Sequence, residues 1–230
     1  MALKIGINGF GRIGRMVLRS IIENNRKDIE VVAINNKSNS EVSSFLLQHD
    51  TIHGKLKAKI SHSDRAIEIN GKKINIINEI EISKINWKKH EVDVVLECTG
   101  KFNTKEKSAQ HINSGAKKVL VSAPCKGAIN IIFGVNQKTL KKSDQVISAA
   151  SCTTNCLAPV AKVINDNFGI DTGFMTTIHS YTTDQRLLDN SHKDLRRARS
   201  APNSIIPTTT GATKSLGDVI PELKGKVEGI

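Results

Sequence analysis

Residues 3–14 read LKIGINGFGRIG, and this stretch decides the fold of the first part of the chain. It opens with a short apolar strand and continues with Gly9, Gly11 and Gly14 at G-x-G-x-x-G spacing. A helical repeat of apolar residues follows, and DIEVVAINN (28–36) is a second strand. In this context the glycines predict a turn that brings the backbone and a helix N-terminus close to a pyrophosphate. A tight turn without a ligand is the alternative.

The same alternation of strands and helices continues to about residue 150. A hairpin is expected around Asn70-Gly71, because this dipeptide suits a type I′ turn. Three apolar runs predict buried strands, and a helix ending at Gly115 separates two of them. We therefore expect an α/β fold with a Rossmann-type, doubly wound, mainly parallel sheet.

Composition limits the possible function classes. The formal net charge is +12, but the lysines are scattered and aromatic residues make up only 3%. A base-stacking platform needs aromatics among the basic residues, so nucleic acid is a disfavoured partner. A lysine-rich solvated surface, or a field that attracts anionic metabolites, fits better. No apolar run spans a bilayer and the start does not resemble a signal peptide, so we expect a cytoplasmic protein without a disulfide framework.

The segment SAASCTTNC (148–156) is the candidate reactive site. Cys152 follows a strand and begins a helix, and a helix N-terminus favours the thiolate. A metal site would need two more ligands that the spacing does not provide, and a redox pair usually has C-x-x-C spacing. Two buried structural cysteines remain an alternative. A nucleophilic cysteine needs a base, and His179, expected at the end of the strand FMTTIH, is the candidate.

At these motifs the chain resembles phosphorylating glyceraldehyde-3-phosphate dehydrogenases. The segments that carry the resemblance span the chain in order: INGFGRIGR, SCTTNCLAP, TTIHSYTTDQ, HKDLRRAR, IIPTTTGATK and PELKGK. The resemblance implies a dinucleotide-binding domain at 1–150 and the N-terminal part of an incomplete α+β catalytic domain at 151–230. It also implies NAD or NADP as cofactor, glyceraldehyde 3-phosphate and inorganic phosphate as substrates, and a homotetramer.

The resemblance also implies roles for single residues. Cys152 would be the nucleophile and His179 the base, whereas Cys156 would have no required role. The positions expected to bind the substrate phosphates are Ser151, Thr153, Thr182, Thr210 and Gly211. The positions expected at the cofactor are Gly9, Gly11, Arg12, Ile13, Gly14, Asn36, Lys37, Ser122 and Ser191.

Two departures from the family pattern concern the cofactor. Asn36, followed by Lys37, stands where NAD-selecting Rossmann units usually place an acid for the ribose hydroxyls. Asn190-Ser191 replaces the Leu-Pro that strictly NAD-using members often carry. We therefore expect NADP to be accepted, alone or beside NAD; neutral drift at both positions is the alternative.

Length is a third departure, because the family chain continues beyond residue 230. The continuation supplies an Arg for the substrate phosphates and an Asn for the nicotinamide amide, so we expect a fragment that is poorly active or inactive by itself. Two other functions remain open at this stage. One is erythrose-4-phosphate dehydrogenase activity, and the other is a non-catalytic homologue that binds a dinucleotide or RNA.

Overall fold

The computed structural model describes residues 2–230, which divide into two compact units. The first unit runs to Ile131 and includes Lys138–Ala150, and the second consists of Ile132–Gln137 and Ser151–Ile230. The expected α/β class with a large, mainly parallel sheet is confirmed.

A nine-stranded sheet organises the first unit, in the order β10-β11-β9-β8-β1-β2-β7-β6-β5. Neighbours from β10 to β7 run parallel, whereas β5, β6 and β7 pair antiparallel. Strands β3 and β4 form a separate antiparallel ribbon. The strands are β1 (Leu3–Asn8), β2 (Ile29–Asn35), β3 (His49–Asp50), β4 (Gly54–Lys55), β5 (Ile60–Ser63), β6 (Ala66–Ile69), β7 (Lys72–Ile77), β8 (Val94–Glu97), β9 (Lys118–Val121), β10 (Ile129–Asn130) and β11 (Val146–Ser148).

The order of the central strands creates the switch point of a doubly wound sheet. The chain passes from β1 to β2 on one side and later returns to β8 on the other side of β1. In such sheets ligands bind outside the carboxyl ends of the strands at this point. The helices of the unit are α1 (Arg12–Glu23), α2 (Ser40–Gln48), α3 (Lys105–Ser108) and α4 (Gln110–Asn113).

The first unit contains a hairpin and a helical segment that the sequence predicts. The hairpin is confirmed, since Asn70 and Gly71 join β6 to β7 with φ of +50° and +81°, the left-handed values that a type I′ turn needs. The single helix expected before Gly115 is instead two short helices that meet at Ala109. The core is aliphatic as expected, with Ile7, Ile34 and Ile67 fully buried.

The second unit contains α5 (Cys152–Phe168), β12 (Gly173–Met175), α6 (Ala212–Val219) and β13 (Val227–Gly229). Helix α6 packs against α5, and β12 pairs in parallel with β13. Gly169 ends α5 with a φ of +75°, as expected from its position after the apolar repeat.

The strand expected to end at His179 is shorter than predicted. It stops at Met175, and the last ladder bond runs from the Thr177 N–H to the Ile230 carbonyl. Within the described residues no strand pairs with the segment beyond, so His179 lies in irregular chain and not at a strand end. Apolar alternation predicted a strand here, but a strand also requires a partner.

The polar segment from Thr182 to Asn203 is irregular, as expected, with short 3-10 turns at Leu195–Ala198 and Ala201–Asn203. Across residues 2–230, no helix combines the length and apolar character that crossing a bilayer requires.

Candidate active site

Helix α5 presents Cys152 at its first turn. Ser151 is the N-cap residue, and its Oγ accepts a 3.0 Å hydrogen bond from the Thr154 N–H. This is the capping pattern expected from a serine in extended conformation before a helix. Ala150, just before the cap, has a φ of +57°, an uncommon value for a residue with a Cβ. The chain therefore turns sharply into the helix at the cysteine.

The structure brings the two predicted catalytic side chains together. Cys152 Sγ lies 3.1 Å from His179 Nε2. His179 Nδ1 lies 2.5 Å from the Ser180 carbonyl oxygen, which can only accept a hydrogen bond. The proton on Nδ1 is thereby fixed, so Nε2 either accepts from the thiol or, in the imidazolium, donates to the thiolate.

The electrostatics of this pair favour the ionised form of both groups. Partial burial by itself raises the pKa of Cys152, but the hydrogen bond and charge of His179, with the hydroxyl and N–H of Thr153, outweigh burial. The net pKa of Cys152 lies below its ordinary value. The pKa of His179 is raised, first by its hydrogen bond to Cys152 and then by the Ser180 carbonyl. A thiolate beside an imidazolium is the reactive state of a nucleophilic cysteine.

The other three cysteines are also free, but none is arranged like Cys152. Burial raises the pKa of Cys98 to about 11 and also raises the pKa of Cys125. Cys156 is exposed one helical turn beyond Cys152. Among residues 2–230 no group of three or more His, Cys, Asp and Glu side chains is suited to hold a metal ion.

The residues expected to bind phosphates lie in three places in the second unit. Ser151 and Thr153 flank the cysteine, and the Thr182 N–H and hydroxyl both donate to Gln185 Oε1, at 2.7 and 3.1 Å. Gly211 is the N-cap residue of α6 and has no side chain that could cap the helix. The Thr210 hydroxyl accepts from the Ala212 N–H, 3.2 Å away.

The glycine turn of the first unit is built for close backbone approach. Gly9 has a φ of +93°, and a Cβ at Gly14 would lie 2.3 Å from the Gly9 carbonyl oxygen. A Cβ at Gly11 would meet no protein atom within 4 Å, and Gly11 supplies no side-chain cap to α1. The first turn of α1 thus offers N–H groups next to open space, which fits the pyrophosphate of a dinucleotide.

Arg12 in this turn has a partner that the sequence did not indicate. Its guanidinium forms an ion pair with Asp50, whose side chain is almost buried. The pKa of Asp50 is lowered to about 2, first by the His53 N–H and then by Arg12, against the effect of burial. No spacing rule connects residues 12 and 50, so only the fold shows this contact. Ile13, the next residue, is exposed.

The position expected to select between NAD and NADP carries no acid. The Asn36 side chain donates to Ser43 Oγ at 3.2 Å, and the backbone carbonyl of Asn36 accepts from Asn78 Nδ2 at 2.7 Å. Lys37, the next residue, is exposed. Ser122 follows β9, and its N–H donates to the Glu97 carbonyl oxygen at 3.0 Å.

Ser191, in the second unit, is held by its backbone. Its carbonyl accepts two bonds from the Arg186 guanidinium, at 3.1 and 2.7 Å, while its N–H donates to Asn190 Oδ1. The residue is exposed.

Comparison with known proteins identifies the family. The profile described as glyceraldehyde 3-phosphate dehydrogenase, NAD binding domain, matches residues 3–105, and that for the C-terminal domain matches residues 151–230. Proteins named glyceraldehyde-3-phosphate dehydrogenase from Cereibacter sphaeroides and Geobacillus stearothermophilus are 54% and 53% identical to the whole chain, which covers 69% of each. The protein named glyceraldehyde-3-phosphate dehydrogenase 1 from Bacillus subtilis is 51% identical, and the chain covers 68% of its length. The chain belongs to the glyceraldehyde-3-phosphate dehydrogenase family.

Family membership confirms the resemblance seen in the sequence and makes the chain an NAD(P)-dependent oxidoreductase. The comparisons support neither erythrose-4-phosphate dehydrogenase activity nor a non-catalytic homologue. The roles of single residues in this chain are proposals.

Proposed function

We propose that this chain oxidises and phosphorylates glyceraldehyde 3-phosphate to 1,3-bisphosphoglycerate, with Cys152 as nucleophile and His179 as acid and base. The single observation that carries the proposal is the 3.1 Å contact between Cys152 Sγ and His179 Nε2 at the N-terminus of α5. The directions of both pKa shifts support the thiolate–imidazolium state.

The first half of the reaction forms a hemithioacetal. The Cys152 thiolate attacks the aldehyde carbon, a C–S bond forms, and the carbonyl oxygen takes the proton from His179 Nε2. His179 then removes that hydroxyl proton as the carbon loses a hydride. When NAD or NADP is bound, its oxidised nicotinamide is the oxidant that accepts this hydride. The product on Cys152 is a thioester.

The second half transfers the acyl group to phosphate. An oxygen of inorganic phosphate attacks the thioester carbon, the C–S bond breaks, and the sulfur leaves as thiolate. A cysteine of lowered pKa is a better leaving group, so the same contact with His179 serves both halves. Splitting the reaction at a thioester keeps the energy of oxidation in a covalent bond.

We assign binding of the two phosphate groups to two regions of the second unit. Ser151, Thr153 and Thr182 form one set, close to the catalytic pair in sequence. Thr210 and Gly211 form the other, where backbone N–H groups in the first turn of α6, other than that of Ala212, add further donors. Hydroxyls and free N–H groups are suitable donors to phosphate oxygens.

We propose that NADP is accepted, alone or beside NAD. An acid at position 36 would repel a 2′-phosphate by at most about 4 kcal/mol per charge pair at ~4 Å and an effective dielectric near 20. Asn36 removes this repulsion, and Lys37 adds a positive charge beside it. Ser191 supplies an exposed hydroxyl on a backbone fixed by Arg186.

We also propose a cytoplasmic homotetramer. Four free cysteines fit a reducing compartment. The loop after Thr182 exposes several large apolar side chains, as subunit contacts would require: Leu187, Leu188, Leu195 and Ile205. Light scattering in solution tests the tetramer, and cell fractionation tests the location.

The function is tested by substrate protection of the thiol. The chain is treated with iodoacetamide, with and without glyceraldehyde 3-phosphate, and each cysteine is followed by mass spectrometry. We expect the substrate to slow alkylation of Cys152 and to leave Cys156 unaffected, because only Cys152 forms the hemithioacetal. A parallel assay follows phosphate-dependent reduction of NAD and NADP. Equal alkylation of Cys152 with and without substrate would contradict the proposed nucleophile.

A further inference from the structure

Glu97 is a buried acid that none of the roles above uses. It ends β8, with 1% of its surface exposed. One carboxylate oxygen accepts from Asn8 Nδ2 at 2.6 Å and from His111 Nε2 at 3.0 Å. The other accepts from the N–H of Thr99 at 2.7 Å and from the Thr99 hydroxyl. These partners include no lysine or arginine, so neutral donors hold the buried oxygens.

Trp87 fixes the tautomer of His111. The indole N–H can only donate, and it donates to His111 Nδ1 at 2.9 Å. Nδ1 is therefore the acceptor of the ring, and Nε2 carries the proton that is donated to Glu97. His111 is thus a neutral donor in this cluster, although its contact with Glu97 has the geometry of an ion pair.

A second chain of bonds fixes the orientation of Asn8. Asn35 donates from Nδ2 to the Glu79 carbonyl and accepts at Oδ1 from the Glu79 N–H, both at 2.9 Å, so its amide cannot be reversed. Its Nδ2 also donates to Asn8 Oδ1 at 2.7 Å. Asn8 must then direct its own Nδ2 at Glu97.

The Thr99 N–H, Asn8 Nδ2 and His111 Nε2 are thus locked as donors, and both oxygens of Glu97 must accept. A backbone N–H faces one oxygen, and two oriented side chains face the other. A glutamine in the same place would turn an N–H group towards one of these locked donors in either orientation. The cluster therefore requires two acceptor oxygens at position 97.

The cluster ties together the carboxyl ends of three adjacent parallel strands. Glu97 ends β8, Asn8 ends β1 and Asn35 ends β2. Asn8 immediately precedes Gly9, and a Cβ added at Gly9 would lie 2.8 Å from both Cγ2 and N of Thr99. Glu97 thus holds the glycine turn through Asn8, which precedes Gly9, and through Thr99, against which Gly9 packs.

We propose that Glu97 is a positioning residue for the dinucleotide site, one that fixes the glycine turn through Asn8 and Thr99 without touching the cofactor. This inference rests on the proposed function, because it assumes that the turn binds NAD or NADP. The hydrogen bonds of the cluster reach two further positions proposed at the cofactor. Asn35, bonded to Asn8, immediately precedes Asn36, and the Ser122 N–H donates to the backbone carbonyl of Glu97.

The test measures NAD and NADP affinity of the 230-residue chain by calorimetry. We expect Glu97→Gln to weaken binding by on the order of tenfold or more, since a bond to a charged acceptor is lost. Glu68→Gln makes the same charge change at an exposed position of β6 and should leave affinity unchanged. Alkylation of Cys152 in the second unit should keep its rate in both variants.

A second pair keeps the test decisive if Glu97→Gln does not fold. His111→Phe removes the donor to Glu97, whereas His111→Gln retains a side-chain N–H that can replace Nε2. We expect weaker cofactor binding in the first and recovery in the second, which a purely steric role of His111 would not produce. Unchanged affinity in folded Glu97→Gln, or equal affinity in the two His111 variants, would overturn the inference. Failure of the unaltered chain to bind either cofactor would instead overturn the proposed function.

Discussion

The glycine turn of the first unit and the turn before Cys152 in the second unit place functional groups at a helix N-terminus by different means. Each is a turn into a helix N-terminus, and each contains a left-handed residue, Gly9 with a φ of +93° and Ala150 with a φ of +57°. The glycine turn works by leaving side chains out, so that backbone N–H groups reach the ligand. The cysteine turn works by adding side chains, since Ser151 caps the helix and His179 meets Cys152. Adding a side chain should therefore impair the glycine turn, whereas removing one should impair the cysteine turn.

The largest expected effect is at Cys152. Cys152→Ser, made in an active form of the enzyme, keeps the size of the side chain but removes the thiolate, so turnover of glyceraldehyde 3-phosphate should fall by at least about a thousandfold. The matched control is Cys156→Ser, one helical turn away, which should retain most of the activity. A steady-state assay with both cofactors measures the two variants. Comparable losses in both would mean that the helix, and not the nucleophile, had been damaged.

The next largest effect is expected at Asn36, the residue after β2. Asn36→Asp introduces an acid at the position proposed to face the ribose, and repulsion should weaken NADP binding by roughly tenfold to a thousandfold. NAD affinity should be unchanged or improve. Calorimetric titration with both cofactors gives the ratio. An unchanged NADP to NAD ratio would show that Asn36 does not select the cofactor.

A smaller effect separates the two kinds of glycine in the turn. Gly14→Ala places a methyl group 2.3 Å from the Gly9 carbonyl, so overpacking should lower the free energy of unfolding by about 1–3 kcal/mol. Gly11→Ala meets open space and should leave stability nearly unchanged.

Cofactor binding should nevertheless weaken in both glycine variants, because a methyl group at Gly11 enters the space proposed for the pyrophosphate. Chemical denaturation and calorimetry separate the two effects. Normal cofactor affinity in Gly11→Ala would contradict the proposed pyrophosphate position.

The smallest effect is expected before the catalytic helix. Ala150→Gly removes the steric cost of a positive φ, so the free energy of unfolding should change by no more than about 1–2 kcal/mol, in the stabilising direction. Activity should not rise, since the same change loosens the turn that carries Cys152. Denaturation curves and steady-state rates test both statements. A clear loss of stability would show that the buried methyl group and lower chain entropy of Ala150 outweigh the cost of its positive φ.

The sequence predicted the first unit better than the second, and the reason is locality. Gly9, Gly11 and Gly14 act within six residues, so their spacing alone indicates the turn. The contact between Cys152 and His179 joins residues 27 positions apart. The chemistry of a nucleophilic cysteine made His179 a candidate base, but no local spacing indicates the contact, and the resemblance to the family implied the pairing.

Other features could not be read from local pattern at all. The strand expected to end at His179 stops at Met175, because pairing and not alternation decides where a strand ends. Asp50 as partner of Arg12 has no sequence signal, since strand β3 reaches that arginine only in the fold. Glu97 lies in an apolar run that correctly predicted a strand, but nothing in that run indicated a role for the acid.

The ionised pair at the catalytic site is tested most directly by the pH dependence of Cys152 alkylation. Because the pKa of Cys152 is lowered, its thiolate should persist as the pH falls below the ordinary cysteine range, and alkylation by iodoacetamide should persist with it. Because His179 contributes to this shift, His179→Asn should move the midpoint of the profile to higher pH. A low midpoint that moves upward in the variant is the predicted result. The same midpoint in both proteins, at the value of an ordinary thiol, would contradict the pairing of Cys152 with His179.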